Sequence, residues 1–148
     1  MNLSERLTRV LCVDDSPDIA ALCQRLVEVE ADMECAGVLE SADALVETVL
    51  AQRVDVVLLD LTMPGKDPLM AVREVAVAAP KCRVLAFSGY DDAVRVDAFV
   101  EAGGWGLVSK DSDPGAIIEA IRRVARGEFV RQDSEHVRGC LTRPAARV

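Results

Sequence analysis

The chain has 148 residues, 51% of them hydrophobic and 28% charged, with a formal net charge of −8. That length suits one compact domain with a buried core, and the acidic balance argues against nonspecific nucleic-acid binding, which needs clustered Lys and Arg against phosphate. No apolar run reaches the roughly 18 residues of a membrane span, and the start "MNLSERLTRV" has no hydrophobic signal region, so a cytoplasmic location is expected.

The stretch 8–13, "TRVLCV", is a short β-rich run that stops at Asp14 and Asp15. Ser16 has the chemistry of a helix N-cap with Pro17 at the first helical position, and Ile19, Leu22, Cys23 and Leu26 follow at helical spacing. "MECAGV" (33–38) reads as a weaker strand, and Ala42, Leu45, Val46, Val49 and Leu50 form a second amphipathic stripe. Residues 54–59, "VDVVLL", are a strand whose apolar run ends on Asp60, with Pro64-Gly65 close behind. Leu69, Val72 and Ala76 mark a third helix that ends near Pro80. "RVLAF" (83–87) is a fourth strand, followed by Ser88-Gly89 and a helix over about 91–102 that Gly103-Gly104 breaks. "GLVS" (106–109) is a fifth strand ending at Lys110. Asp113-Pro114 caps a last helix bearing Ile117, Ile118, Ile121, Val124 and Ala125, closed by Gly127.

Five β–α units whose strands are mainly apolar rather than alternating predict a parallel sheet covered by helices on both faces. Right-handed crossovers place the carboxyl ends of all the strands on one edge, where such sheets bind ligands. Asp14, Asp15, Asp60, Ser88 and Lys110 therefore converge, although they are scattered along the chain. Singly, each has an ordinary reading: an Asp pair caps a helix, a strand-end Ser turns the chain, a strand-end Lys is surface. Their coincidence at four strand ends carries the functional reading.

Three carboxylates at one place repel unless they share a cation. Oxygen donors without His or Cys select a hard ion, and Mg²⁺ fits. Acids beside an ammonium and a hydroxyl suit phosphoryl transfer, with one carboxylate attacking phosphorus to form an aspartyl phosphate. The five cysteines, Cys12, Cys23, Cys35, Cys82 and Cys140, match no zinc-ribbon spacing, and the lone His136 cannot complete a ligand set. They are read as small buried hydrophobes.

The set "VLCVDDSP", "DVVLLDLTMPG", "VLAFSGYDD" and "AGGWGLVSKDSDP" resembles the receiver domain of bacterial two-component response regulators over about residues 8–127. The tails "GYDDAVRVDAFVEAGGWG" and "AIIEAIRRVARGEF" are most like the NarL/FixJ subfamily. The resemblance implies a flavodoxin-like (βα)5 doubly wound α/β fold, its five-stranded parallel sheet in the order 2-1-3-4-5. It makes Asp60 the phosphoacceptor and Asp14 and Asp15 the metal-binding pair, Asp15 directly and Asp14 through water. Asp60 and the backbone carbonyl of Thr62 complete the Mg²⁺ site. Ser88 becomes the switch hydroxyl and Lys110 its partner on the phosphoryl group. The implied function is a signalling switch phosphorylated by a sensor histidine kinase. It would not be a conventional enzyme, but would catalyse its own phosphoryl transfer and aspartyl-phosphate hydrolysis.

Departures from the family pattern refine these expectations. Leu107 stands where the family carries an aromatic, three residues before Lys110, so the ring half of the usual switch is missing; Trp105 either substitutes for it or packs on its loop. Gly89 replaces a common alanine and loosens the loop after Ser88. Pro68 replaces a preferred glycine, so the loop after Asp60 cannot take positive φ there. Thr62 and Tyr90, two residues after Asp60 and Ser88, are poor general bases beside the path of water, which predicts slow self-dephosphorylation.

Residues 128–148 are read as a linker or C-terminal tail with Asp133 capping a short helix, too short for a helix-turn-helix output domain. Three readings stay open: a receiver that signals through a homodimer or a downstream protein, the regulatory half of a longer helix-turn-helix regulator, or a phosphate sink. Residues 114–148 hold seven Arg against four acids, interleaved with apolar positions as in a partner-docking face. Specific DNA binding by these 148 residues alone is not expected.

Overall fold

The computed structural model describes residues 6–88 and 93–132, so the expectations placed on Gly89, Tyr90, Asp133, His136 and Cys140 lie outside the described residues. Strands and helices alternate as β1 (Thr8–Val13), α1 (Pro17–Glu28), β2 (Met33–Leu39), α2 (Leu45–Gln52), β3 (Val56–Leu59), α3 (Pro68–Ala78), β4 (Arg83–Ser88), α4 (Ala93–Ala102), β5 (Gly106–Ser109), α5 (Pro114–Ala125) and β6 (Val130–Gln132). The strands form one parallel sheet in the order β2-β1-β3-β4-β5-β6.

Successive strand residues point to opposite faces, and the core divides accordingly. Leu11, Val13, Val57 and Leu59 pack with Leu45 of α2, Val72 of α3 and Phe99 of α4. Val10, Cys12, Val56 and Leu58 pack on the other face with Val27 of α1 and Ile117 and Ile121 of α5. Both faces are covered, which is why the strands carry no polar alternation.

Three helices begin by one device, a side-chain cap followed by proline. Ser16 Oγ accepts from Ile19 N, Asp67 Oδ1 from Leu69 N and Asp113 Oδ1 from Ala116 N, ahead of Pro17, Pro68 and Pro114. Pro68 is thus the first residue of a helix, and the left-handed turn in the loop after Asp60 is taken earlier, by Gly65 at φ 92. α2 starts at Leu45, later than its apolar stripe suggested, because Ala42 sits in a turn accepting from Leu45 N.

The sheet has six strands where five were expected. At the end of α5, Gly127 N donates to Val124 O and Glu128 N to Arg123 O, a Schellman closure that needs the left-handed φ of 89 at Gly127. The closure turns the chain back, so that buried Phe129 and Val130 run beside β5, with Val130 opposite Gly106. β6 covers an otherwise open sheet edge. It extends the folded domain beyond the boundary at 127 and places strand where a linker was read.

Candidate functional site

The ladder continues one step past the strands and fixes the backbone of the site. Asp14 N donates to Leu39 O (3.0 Å), Asp60 N to Val13 O (3.0 Å) and Lys110 N to Ser88 O (2.8 Å). Ser88 ends β4 opposite Ser109. Asp14, Asp15, Asp60, Ser88 and Lys110 therefore meet at the carboxyl edge of β1, β3, β4 and β5, as the strand pattern predicted.

Asp14 and Asp60 are each only 3% exposed, and Asp15 stands in solvent beside them. One carboxylate oxygen from each of the three lies within 4.8 Å of the others. Asp60 Oδ1 accepts from Thr62 N (2.9 Å) and Thr62 Oγ1 (3.0 Å), while Asp60 Oδ2 faces the Lys110 ammonium at 3.4 Å. Asp14 Oδ1 accepts from Ser16 N (2.9 Å). Asp14 Oδ2 is buried and lies 2.7 Å from Lys110 Nζ, which compensates its charge. Burial pulls the Lys110 ammonium down in pKa, but Asp14 and Asp60 outweigh it and leave it above the ordinary lysine range.

Three carboxylates against one ammonium leave an excess of negative charge at a partly buried place, which a divalent cation would offset. The donor set is all oxygen, which fits a hard ion such as Mg²⁺. The arrangement also presents one oxygen of Asp60 toward a cation while Thr62 holds the other.

Leu107 is buried in the core on the α2–α3–α4 side. Trp105 is not brought to the site. It precedes β5 and so lies at the opposite edge of the sheet from Lys110, with the Arg83 guanidinium 4.9 Å over its ring and its backbone bonded to Val84 O and Val130 N. Cys12, Cys23 and Cys82 are buried, as read from sequence, and Cys35 is half-buried. The arginines at the end of α5 and at its C-cap, assigned to a docking face, are paired within the chain: Arg122 with Glu30 and Asp32, Arg123 with Glu128, Arg126 with Glu119 and Glu128.

Two contacts of the loop between β3 and α3 had no signal in the sequence. Asp43 Oδ1 accepts from Lys66 N (2.9 Å), and Arg95 Nη1 donates to Leu61 O (3.0 Å), the residue after Asp60. Both join residues far apart in the chain through side chains of ordinary surface type.

Among the described residues, no helix is long and apolar enough to cross a membrane. The profile of the response regulator receiver domain matches residues 10–122. The chain is 36% identical over 127 residues to the nitrate/nitrite response regulator protein NarP of Escherichia coli, covering 82% of this chain and 57% of that protein. It is 29% identical over 126 residues to the nitrate/nitrite response regulator protein homolog of Haemophilus influenzae, covering 85% and 61%. The chain thus spans about six-tenths of the length of these relatives. Among solved structures, the signal receiver domain of the putative response regulator NarL from Mycobacterium tuberculosis superposes with a TM-score of 0.78 at 29% identity, covering 82% of this chain and 98% of that one.

Proposed function

Because the chain belongs to the response regulator receiver family, a phosphorylation-dependent signalling module of two-component systems, we propose that Asp60 is the residue that takes the phosphoryl group, from the phosphohistidine of a sensor histidine kinase. The observation that carries this is the asymmetry of Asp60: Oδ1 is held by Thr62, and Oδ2 faces Lys110 beside two further carboxylates.

Asp14, Asp15, Asp60 and the backbone carbonyl of Thr62 would hold Mg²⁺. When bound, the ion neutralises charge on the phosphoryl oxygens. The chain's own groups do the rest. A carboxylate oxygen of Asp60 forms the new O–P bond as the P–N bond of the phosphohistidine breaks, and the imidazole leaves with its electron pair. Lys110 offsets the negative charge of the transferring group, and Ser88 moves onto a phosphoryl oxygen once transfer is complete. Hydrolysis by water returns the carboxylate. Thr62, which holds the other oxygen of Asp60, is not a good general base for that water, so the phosphorylated form is long-lived. The signal leaves through a homodimer or a downstream protein in the cytoplasm, not through DNA contact by these 148 residues.

The test is uptake of a phosphoryl group from acetyl phosphate with Mg²⁺, followed by intact mass. Wild type is expected to gain one phosphoryl group, and Asp60→Ala and EDTA-treated protein none. Undiminished uptake in Asp60→Ala would sink the assignment, and undiminished uptake in EDTA would sink the metal.

A further inference from the structure

One peptide unit connects a distant arginine to Asp60. The N–H of the Leu61–Thr62 peptide donates to Asp60 Oδ1 at 2.9 Å, and the C=O of the same peptide accepts from Arg95 Nη1 at 3.0 Å. Arg95 lies in α4, which is anchored beneath it by Val96 and Phe99, both packed in the cluster that contains Leu61. The order of groups is guanidinium, carbonyl, amide N–H, carboxylate, so each dipole points the same way. A cation on the carbonyl oxygen draws electron density toward itself and makes the N–H of that peptide a stronger donor.

From this relay we infer that Arg95 is a positioning residue for Asp60, acting through the Leu61–Thr62 peptide and tying α4 to the phosphoacceptor. The inference rests on the reading of Asp60 as phosphoacceptor. Held at its carbonyl, the peptide cannot rotate, so Thr62 N–H stays on Oδ1 and Oδ2 stays turned toward Lys110. Released, the peptide is free to swing, and both the Asp60 rotamer and the following carbonyl of Thr62 lose their setting. The loop has a second tether in Asp43 on Lys66 N, four residues farther on than Thr62, so loss of Arg95 frees the peptide next to Asp60 without releasing the whole loop.

The test uses the full chain and two readouts. In amide correlation spectra, the Thr62 proton is expected to move upfield in Arg95→Ala, where the relay is cut, and to stay near its wild-type position in Arg95→Lys, which still donates to Leu61 O. With acetyl phosphate as donor, Arg95→Ala is expected to lower the maximum phosphorylation rate about tenfold, with half-saturating acetyl phosphate unchanged and most of the rate restored in Arg95→Lys, as for loss of geometry and not of binding. A Thr62 amide that does not move in Arg95→Ala, or a rate lost equally in both variants, overturns the role. Absence of uptake by wild type would count against the phosphoacceptor reading of Asp60, and the amide shift would still decide the role of Arg95.

Discussion

The Lys110 ammonium is held more closely by Asp14 than by Asp60, at 2.7 Å against 3.4 Å. It thereby compensates a buried carboxylate oxygen for which no other partner is found among the described residues. Lysine and a metal ion would draw on the same oxygen. On the proposed role of Asp60, Lys110 would shift its hold away from Asp14 to serve a phosphoryl group there.

Removing Lys110 should expose this compensation. Loss of one member of a fully buried ion pair costs about 3–5 kcal/mol, but Lys110 keeps 20% of its side chain in solvent. Lys110→Ala is therefore expected to lose about 2 kcal/mol in metal-free buffer. Millimolar Mg²⁺ should stabilise Lys110→Ala more than wild type, since the ion then meets uncompensated carboxylates. Equal Mg²⁺ stabilisation of the two, read from urea midpoints, would contradict the shared oxygen.

Gly106 of β5 pairs with Val130 of β6. A Cβ there would come within 2.5 Å of Val130 O, a backbone atom that cannot turn aside. Gly106→Ala is expected to cost about 1–3 kcal/mol by overpacking and to deprotect the Val130 amide in hydrogen exchange, while amides of β1 and β3 keep their protection. Unchanged exchange at Val130 would mean that β6 does not depend on this contact.

Cys12 lowers the thiol pKa of both Cys23 and Cys35, but of the described cysteines only Cys35 is also partly exposed. A hydrogen bond from Cys12 holds its thiol down at about 7, against the desolvation that pushes it up, whereas burial pushes Cys82 up to about 12. The thiolate is the nucleophile, so alkylation of the native protein at Cys35 should rise with pH through about 7 and level off above it. At neutral pH it is expected to outpace Cys12, Cys23 and Cys82 by about tenfold or more in peptide mapping. Cys35 reacting no faster than Cys82 would overturn this ranking.

Trp105 provides a control on the switch. Capped by Arg83 at the sheet edge away from Lys110, its emission is expected to stay constant when Mg²⁺ and fluoroberyllate are added. A change that disappears in Ser88→Ala would restore the alternative, in which Trp105 takes over from the missing aromatic at Leu107.

The alternation of strands and helices was legible because the strands carry apolar runs without polar alternation and three helices open with a cap and proline. The convergence of Asp14, Asp15, Asp60, Ser88 and Lys110 followed from parallel topology alone, since each terminates or follows a strand. β6 was not legible, because three residues carry no period and its partner strand is distant in sequence. Trp105 was placed near the switch because it is close to Lys110 in the chain; a strand between them carries the two residues to opposite edges. Arg95 and Asp43 act through long-range contacts to backbone atoms, for which neither residue type nor spacing gives any sign.

The most direct measurement of the central claim identifies the phosphorylated residue. Protein treated with acetyl phosphate and Mg²⁺ is reduced with borohydride, which converts an aspartyl phosphate to homoserine, and is then digested and sequenced by mass spectrometry. Homoserine at position 60, absent without Mg²⁺, is the result expected. Homoserine at position 14 or 15 with Asp60 intact, or at none of the three despite phosphoryl uptake, would contradict the account.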